Sequence, residues 1–221
     1  MTAQPIPDWS RIHTVLLDMD GTLLDLHFDN HFWLEHVPLR YAERHGLAPD
    51  EAIAELMPRF RAAEGTLQWY CLDHWSRELD LDIVALKREV AHLIRVLPEV
   101  ETFLGQMRAA GKRLVLVTNA HFDALALKME HTGLEAYFDG IVSSHSFGTP
   151  KETPDFWHSL QAIEPFDGAT TLFADDSLPV LRAARDYGVR HLVAMRQPDS
   201  KRPAREIEEF VSVQNLADLL P

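Results

Sequence analysis

Residues 14–25 read TVLLDMDGTLLD, and this stretch sets both the fold and the position of the reactive groups. Its first four residues are uncharged and mostly apolar, which is typical of a strand buried on both faces of a parallel sheet. The strand leads into Asp18 and Asp20, and then into Gly21, which permits a tight turn. Because side chains two residues apart on a strand point the same way, the sequence predicts two neighbouring carboxylates at the carboxyl end of this strand.

Short apolar runs alternate with helical patterns through the second half of the chain. Glycines at positions 111, 133 and 188 follow three of these helical patterns, where a C-cap is expected. Repeated strand–helix units with short connections predict an α/β fold with a doubly wound, Rossmann-like parallel sheet. The predicted strands are 14–17, 113–117, 140–142, 170–173 and 191–194, and the predicted helices are 98–110, 122–132, 154–163 and 178–187.

The interval between the first two strands is long and shows helical patterns but no convincing strand. Apolar residues between 67 and 79 form one helical stripe, and those between 83 and 97 form a second. Segments 32–45 and 50–63 are also predicted to be helical, with Pro38 and Pro58 kinking or shortening them. We therefore predict a helical cap subdomain at 28–97, inserted into a Rossmann-like core made of 1–27 and 98–221.

A second acidic pair, Asp175 and Asp176, ends the predicted strand at 170–173. If both strands belong to one parallel sheet, the carboxylates of Asp18 and Asp20 meet this pair at the edge where open α/β folds bind ligands. Such a cluster repels itself unless a cation compensates. Oxygen ligands without histidine or thiolate suit a hard ion, and Mg²⁺, which shares its coordination shell with substrate phosphate, fits best.

Thr118, Asn119 and Lys151 supply the groups that a phosphate needs. Thr118 and Asn119 end a predicted strand just before a helix, and both carry hydrogen-bond donors. Lys151 lies in a loop before another helix, where its ammonium could neutralise a transferring phosphoryl group. Together with the acidic pairs, these residues predict a phosphoryl-transfer site.

The composition limits the classes of partner. The 221 residues carry a net charge of -13, which disfavours binding to nucleic acid polymers and to anionic membranes. Cys71 is the single cysteine, so an intrachain disulfide is excluded and a reducing compartment is favoured. No signal-peptide pattern and no apolar run of ~20 residues is present. We expect a cytoplasmic protein with a small-molecule substrate.

The order of these motifs resembles that of the haloacid dehalogenase superfamily of phosphatases. The resemblance rests on Asp-x-Asp-Gly-Thr at 18–22, Thr-Asn at 118–119, Lys151, and Asp-Asp at 175–176, and it spans nearly the whole chain. It implies a Rossmann-like core with a C1 type of cap, and Asp18 as the nucleophile that forms an aspartyl-phosphate. Asp20 would be the general acid and base.

The resemblance also implies how the remaining motif residues act. Mg²⁺ would be held by Asp18, the backbone carbonyl of Asp20, Asp176 and in addition Asp175. Thr118, the Asn119 amide and Lys151 would stabilise the phosphate oxygens.

A narrower resemblance, which includes the cap, is to bacterial GMP/IMP 5'-nucleotidases of the same superfamily. It rests on the segments at 24–33, 69–73, 130–134 and 147–152. One departure from the broader superfamily is Glu152, which follows the lysine where proline is common. The resemblance implies hydrolysis of purine nucleoside 5'-monophosphates with Mg²⁺.

Residues that would recognise the purine are predicted from the cap. Aromatic side chains could stack on the base, with Phe32 and Trp69 as the main candidates, although each could instead be part of the core. Asp29 and Asn30 could bind the edge of guanine or hypoxanthine, or could cap the following helix. His121 and His145 lie near the motifs and could also contact substrate.

Two other functions stay open at this stage. One is a phosphatase of the same superfamily that acts on another small metabolite, such as a sugar phosphate or phosphoglycolate, and the other is a catalytically silent phosphate-binding module. A phospho-accepting receiver domain is disfavoured, because its acidic pair precedes a separate acceptor aspartate and the order here is different. A dehalogenase is disfavoured, because Asp20 is the acid/base residue that phosphatases need and dehalogenases do not.

Overall fold

A six-stranded parallel sheet forms the centre of the protein in the computed structural model, which describes residues 7–220. The strands are β1 (Thr14–Leu17), β2 (Arg113–Thr118), β3 (Gly140–Ser143), β4 (Thr171–Asp175), β5 (His191–Met195) and β6 (Val211–Val213). Their order in the sheet is β3-β2-β1-β4-β5-β6, so β1 lies between β2 and β4. The doubly wound, Rossmann-like arrangement predicted from the sequence is confirmed. Strand β6 was not predicted, because three residues leave too little alternation to recognise.

Four helices cover the two faces of the sheet, and their positions agree with the sequence prediction to within a few residues. They are α7 (Val100–Ala109), α8 (Phe122–Thr132), α9 (Pro154–Ile163) and α10 (Leu178–Tyr187). The glycines at 111, 133 and 188 have positive φ angles, as their place after α7, α8 and α10 predicts.

Alternating side chains of β1 build two separate hydrophobic layers. Val15 and Leu17 pack in the layer that contains residues of α7, α8 and the cap, whereas Leu16 packs with α9 and α10 on the opposite face. All three side chains are fully buried. This burial on both faces explains why β1 is apolar at successive positions rather than at every second one.

The register of the strands brings the motif residues to one edge of the sheet. Leu17 of β1 is paired with Leu116 of β2 and with Ala174 of β4. Asp18 therefore leaves β1 at the level where Asp175 ends β4. Because all the strands are parallel, the polar residues that follow them meet at the carboxyl end of the sheet.

Short helices occupy most of the chain between β1 and β2, forming a cap over that edge. They are α1 (His27–His31), a π-helical turn (Phe32–His36), α2 (Val37–His45), α3 (Pro49–Ala63), α4 (Leu67–Tyr70), α5 (Leu72–Leu79), α6 (Ile83–Glu89) and a 3₁₀ turn (Ala91–Leu93). The chain enters and leaves the cap side by side, with Leu24 bridged to Val96. The boundaries of the cap subdomain at residues 28 and 97 remain a prediction.

The cap differs from the sequence prediction in three details. The stripe at 67–79 is two helices, because Cys71 has an extended backbone and its Sγ accepts a hydrogen bond from His74 N at the start of α5. The stripe at 83–97 is helical only to Glu89 before the 3₁₀ turn. Helix α3 continues through Pro58, whereas Pro38 lies in the first turn of α2, where proline is tolerated.

Between residues 7 and 220, no helix is both long enough and apolar enough to cross a membrane.

Candidate active site

A cavity of about 370 Å³ lies between the carboxyl edge of the sheet and the cap. Its floor carries motif residues from β1, β2 and β4 and from the loop before α9, and its opposite wall comes from α1, the π-helical turn, α4 and α6. The lining includes Asp18, Asp20, Asp29, Asn30, Trp33, Leu34, Glu64, Trp69, Tyr70, Lys87, Thr118, Asn119, His121, Lys128, Lys151, Asp175 and Asp176. The structure thus brings together nearly all residues that the sequence analysis selected.

Lys151 lies at the centre of the floor, with its ammonium held in three directions. Its Nζ donates to Asp18 Oδ1 at 2.5 Å, to Asp175 Oδ2 at 2.8 Å and to the backbone oxygen of Val117 at 3.0 Å. Burial disfavours this ammonium, but the carboxylates of Asp175 and Asp18 outweigh burial and raise the pKa of Lys151. Lys151 therefore stays charged and fixes two acidic side chains relative to each other.

The carboxylates of Asp18, Asp175 and Asp176 each offer an oxygen within 4.8 Å of the others. Burial raises the pKa of Asp18 to about 6, with a further increase from Asp175, although Lys151 opposes both effects. Burial, Asp175 and Asp18 together raise the pKa of Asp176 well above its usual range. Asp18 and Asp175 are buried and Asp176 is partly buried, and the single ammonium of Lys151 does not compensate three carboxylates, so the cluster favours an additional cation.

This donor set fits the predicted Mg²⁺, because the three side chains supply only hard oxygen ligands. Asp175 already accepts hydrogen bonds on both oxygens, from Ser177 N at 2.7 Å and from Lys151 Nζ. Asp18 and Asp176 therefore carry the carboxylates best placed to hold an ion, while Asp175 orients Lys151.

Gly21 allows the turn after β1 to approach β4 closely. Its φ angle is +85°, and a Cβ at this position would lie 2.8 Å from Asp176 Cγ and 2.8 Å from Pro198 Cβ. Both the left-handed backbone and the lack of space require glycine. The turn thus holds the segment that contains Asp20 directly against Asp176.

The end of β2 arranges the two predicted phosphate-binding residues differently. The hydroxyl of Thr118, almost fully buried, accepts a hydrogen bond from Ala120 N at 3.0 Å. The side chain of Asn119 contacts the loop before α9, where its Oδ1 accepts from Lys151 N at 2.9 Å. Asn119 Nδ2 donates to Glu152 Oε2 at 2.9 Å. The side chain of Asn119 therefore supports the loop before α9.

Asp20 takes part in a chain of charges that links the core to the cap, in which the lysines are buried and the carboxylates are partly buried. Lys128 Nζ, from α8, donates to Asp20 Oδ1 and to Asp29 Oδ2, each at 2.6 Å. Asp29 Oδ1 accepts from Lys87 Nζ of α6 at 2.7 Å. Burial raises the pKa of Asp20 to about 6, with Lys128 opposing and Asp29 and Asp18 adding to the shift. Asp29 keeps a strongly lowered pKa, because its two lysines outweigh burial.

The structure separates the four residues that were selected for base recognition. Trp69 is partly buried and lines the cavity beside Trp33, with their ring centroids 5.9 Å apart. Phe32 has no exposed surface and packs in the core. It does not line the cavity, so the structure does not support the prediction that it stacks on the base. Asp29 and Asn30 line the cavity, but Asp29 is held by two lysines and Asn30 Nδ2 donates to Asp199 at 2.6 Å.

His121 and His145 are adjacent at the side of the cavity, with ring centroids 5.0 Å apart. His121 lines the cavity and lies 3.7 Å from the carboxylate of Asp73, a cap residue. The ring nitrogens of His145 are buried and have no hydrogen-bond partner among residues 7–220. Burial and the neighbouring His121 lower the pKa of His145 to about 4, although Asp73 opposes them.

Lys87 and Lys128 were not predicted as site residues. A signal was present for both, because residues three or four positions away on the same helix face are apolar, Ile83 and Val90 for Lys87, and Ala124 and Leu125 for Lys128. A lysine is almost never fully buried unless it is paired. Which acidic residues pair with these lysines could not be deduced, because Asp20 and Asp29 are far away along the chain.

Residues 12–188 match the family model of the haloacid dehalogenase-like hydrolases, and the chain belongs to this family. The chain is 40% identical over 213 residues to the GMP/IMP nucleotidase YrfG of Escherichia coli (strain K12), and 96% of each chain is covered. A phosphoglycolate phosphatase of Pseudomonas fluorescens is 23% identical, covering 94% of this chain and 78% of its own.

A solved structure shares the fold at low sequence identity. A phosphatase from Thermococcus onnurineus superposes with a TM-score of 0.78 at 22% identity, covering 94% of this chain and 96% of its own. The family and the nucleotidase relative identify this protein as a phosphoric monoester hydrolase.

Proposed function

We propose that this protein is a Mg²⁺-dependent 5'-nucleotidase that hydrolyses the purine nucleoside monophosphates GMP and IMP. The observation that carries the proposal is the 40% identity to a GMP/IMP nucleotidase over 96% of the chain. The match extends through the cap, which supplies the wall opposite the acidic cluster. Because the cap faces the leaving group, similarity there bears on the substrate as well as on the chemistry.

Asp18 is the proposed nucleophile. Its buried carboxylate, oriented by Lys151 at 2.5 Å, attacks phosphorus while the bond from phosphorus to the ribose 5' oxygen breaks. The product of this step is an aspartyl-phosphate on Asp18 and a free nucleoside. Water then attacks the same phosphorus, the acyl-phosphate bond breaks, and inorganic phosphate leaves with Asp18 restored.

Asp20 is the proposed general acid and base. It gives a proton to the departing 5' oxygen in the first step and takes one from the attacking water in the second. Lys128 fixes the position of this carboxyl group through its 2.6 Å hydrogen bond. Two aspartates that are close in the chain thus have different partners, Lys151 for Asp18 and Lys128 for Asp20.

The phosphate group would be bound by the Thr118 hydroxyl, the Asn119 backbone amide and the Lys151 ammonium. Asp18, Asp176 and the backbone carbonyl of Asp20 would hold Mg²⁺, with Asp175 nearby. When bound, Mg²⁺ keeps the nucleophile ionised and offsets the charge of the phosphate. The raised pKa values of the acidic cluster support the need for this cation.

The purine base would stack on Trp69, whose ring lines the cavity on the cap side. Stacking on an aromatic ring tolerates different bases, so hydrogen bonds at the purine edge must add specificity. Asn30, which lines the same cavity, is the polar candidate, with one amide hydrogen donated to Asp199. Asp29 is assigned to the ion-pair chain rather than to the base.

Hydrolysis of a panel of phosphomonoesters tests the proposal. The panel contains GMP, IMP, AMP, a sugar phosphate and phosphoglycolate, each measured with Mg²⁺ and after exhaustive chelation. We expect GMP and IMP to give the highest kcat/KM, and chelation to abolish turnover until Mg²⁺ is restored. Asp18→Asn is the control, because it keeps the shape of the side chain and removes the nucleophilic charge.

Each contrary outcome has a distinct meaning. A preference for phosphoglycolate or a sugar phosphate would support the alternative of a different small metabolite, which the phosphoglycolate phosphatase relative keeps open. Turnover that survives Asp18→Asn or chelation would contradict the mechanism. Binding of phosphate without any turnover would favour the catalytically silent module.

A further inference from the structure

Tyr70, at the end of helix α4 in the cap, is hydrogen bonded to the loop that carries Lys151. Its hydroxyl donates to Glu152 Oε1 at 2.8 Å. Burial raises the pKa of Tyr70 strongly, and the negative charge of Glu152 adds to this shift. The phenol therefore stays protonated and acts as a donor, so the cap is joined to the core by a charge-assisted hydrogen bond.

Glu152 also links Tyr70 to the predicted phosphate-binding residues. Its second oxygen, Oε2, accepts from Asn119 Nδ2 at 2.9 Å, and Asn119 Oδ1 in turn accepts from the backbone N–H of Lys151 at 2.9 Å. The three hydrogen bonds connect Tyr70, Glu152, Asn119 and Lys151 without a gap. We name this chain of contacts the cap bridge.

The negative charge of Glu152 is electrostatically unfavourable at this position unless its hydrogen bonds compensate for it. Its carboxylate is joined through Asn119 to Lys151, whose ammonium contacts Asp18 and Asp175, so Glu152 adds a further negative charge beside the acidic cluster. A neutral residue would avoid this repulsion in a cluster that already contains too many carboxylates. The two hydrogen bonds that Glu152 accepts, one from the cap and one from the core, are what a neutral apolar residue could not provide.

We propose that Tyr70 and Glu152 are positioning residues, and that the cap bridge aligns Asn119 and Lys151 for phosphoryl transfer when the cap is seated on the core. The proposal rests on the phosphatase activity proposed above and adds to it a coupling between the substrate-covering cap and the reacting end of the site. Neither residue needs to touch the phosphate. They act by fixing the loop from which Lys151 reaches Asp18.

A double-mutant cycle tests the coupling. Tyr70→Phe removes one hydroxyl, and Glu152→Ala removes the acceptor for both donors. Loss of a hydrogen bond to a charged group corresponds to a fall in kcat of about tenfold to a hundredfold, and we expect each variant to show it with KM changed by less than about threefold. Because both residues act through one bridge, we expect the double variant to be no slower than Glu152→Ala alone.

Two further variants separate positioning from general damage. Glu152→Gln keeps the bridge, since its carbonyl can accept from Asn119 while its amide donates to the Tyr70 hydroxyl, so we expect it to restore most of the activity lost in Glu152→Ala. Tyr41→Phe is the matched control, because Tyr41 also donates to a glutamate, Glu55, at 2.6 Å, but within the cap. We expect Tyr41→Phe to leave kcat unchanged.

The backbone amide resonance of Lys151 gives a readout that does not depend on turnover. It should shift in Tyr70→Phe and in Glu152→Ala, and stay in place in Tyr41→Phe. If Glu152→Ala does not fold, Tyr70→Phe and Glu152→Gln carry the same comparison. Equal kcat values for Tyr70→Phe and Tyr41→Phe, multiplicative losses in the double variant, or an unmoved Lys151 resonance would each overturn the proposal.

Failure of the proposed function would look different. A wild-type protein that hydrolyses no phosphomonoester refutes the phosphatase activity, and the Lys151 resonance then decides alone whether the cap bridge exists. If the wild-type enzyme turns over normally and Tyr70→Phe is indistinguishable from it by rate and by the Lys151 resonance, the proposed function stands and the cap bridge is refuted.

Discussion

Replacement of Lys128 by methionine should destabilise the protein more than any change to an exposed ion pair. Methionine keeps the length and apolar stem of lysine but removes the ammonium. The side chain of Lys128 is 2% exposed, and its Nζ holds Asp20 and Asp29 at 2.6 Å each. Removing one partner of such a pair leaves an uncompensated charge, and because the carboxylates of Asp20 and Asp29 are only 21% and 18% exposed, water replaces the lost ammonium poorly.

The expected loss is about 3–5 kcal/mol, which is the range for removing one partner of a buried pair. Asp29 keeps Lys87 at 2.7 Å, so the uncompensated charge falls mainly on Asp20. For a chain of this length, each kcal/mol lowers the melting temperature by roughly 2–4 °C. We therefore expect Lys128→Met to melt about 6–20 °C below the wild-type protein.

Urea unfolding followed by circular dichroism, together with calorimetry, measures both quantities. Arg182→Met is the matched control, since Arg182 also contacts a carboxylate, Glu209, at 2.7 Å, but on the surface. Surface pairs contribute little because water screens them, so the midpoint of this control should hardly move. A loss in Lys128→Met no larger than that in Arg182→Met would refute the reasoning about burial.

Three more predictions follow from single positions. Trp69→Ala should raise KM for nucleotides in steady-state assays by about fivefold to a hundredfold, which is the range for loss of one base-stacking contact. Phe32→Leu is the control, because it should change stability but not KM. Gly21→Ala should lower the free energy of unfolding by at least ~1–2 kcal/mol, which is the penalty for a left-handed residue with a Cβ, and it should abolish turnover by displacing Asp176. A urea midpoint equal to that of the wild-type protein would contradict this prediction. The pKa of His145 is lowered from 6.5 to about 4, so the unfolded chain takes up this proton first and stability should fall as the pH drops from 6.5 towards 4. His145→Asn should show a shallower decline in melting temperature over that interval.

The positions of strands β1 to β5 and of the four core helices followed from local patterns. The apolar run at 14–17 is buried on both faces, and helix α8 begins and ends where its pattern and Gly133 predict. Such features are local, because backbone periodicity and capping depend on residues within a few positions of each other. The short strand β6 and the break between helices at Cys71 were not predicted, because their local signals are weak or are outweighed by packing.

The motif residues of the site could also be selected from the sequence, but their partners could not. The sequence predicted that Asp18 and Asp175 meet at one edge of a parallel sheet and that Lys151, in a loop before a helix, serves the same site, and the structure joins the three through the Lys151 ammonium. No local pattern connects Tyr70 with Glu152, because the two residues lie 82 positions apart along the chain. Contacts of this kind depend on how the cap is seated on the core.

The sequence by itself determined the parallel sheet, the family to which the chain belongs and the identity of the residues at the end of β1, β2 and β4. Tertiary structure alone decided that Phe32 lies in the core while Trp69 faces the cavity. It also decided that Lys87 and Lys128 share Asp29. The physical reason is that strand and helix periodicity is a property of neighbours in the chain, whereas burial of a side chain and pairing of a charge are set by residues that only folding brings together.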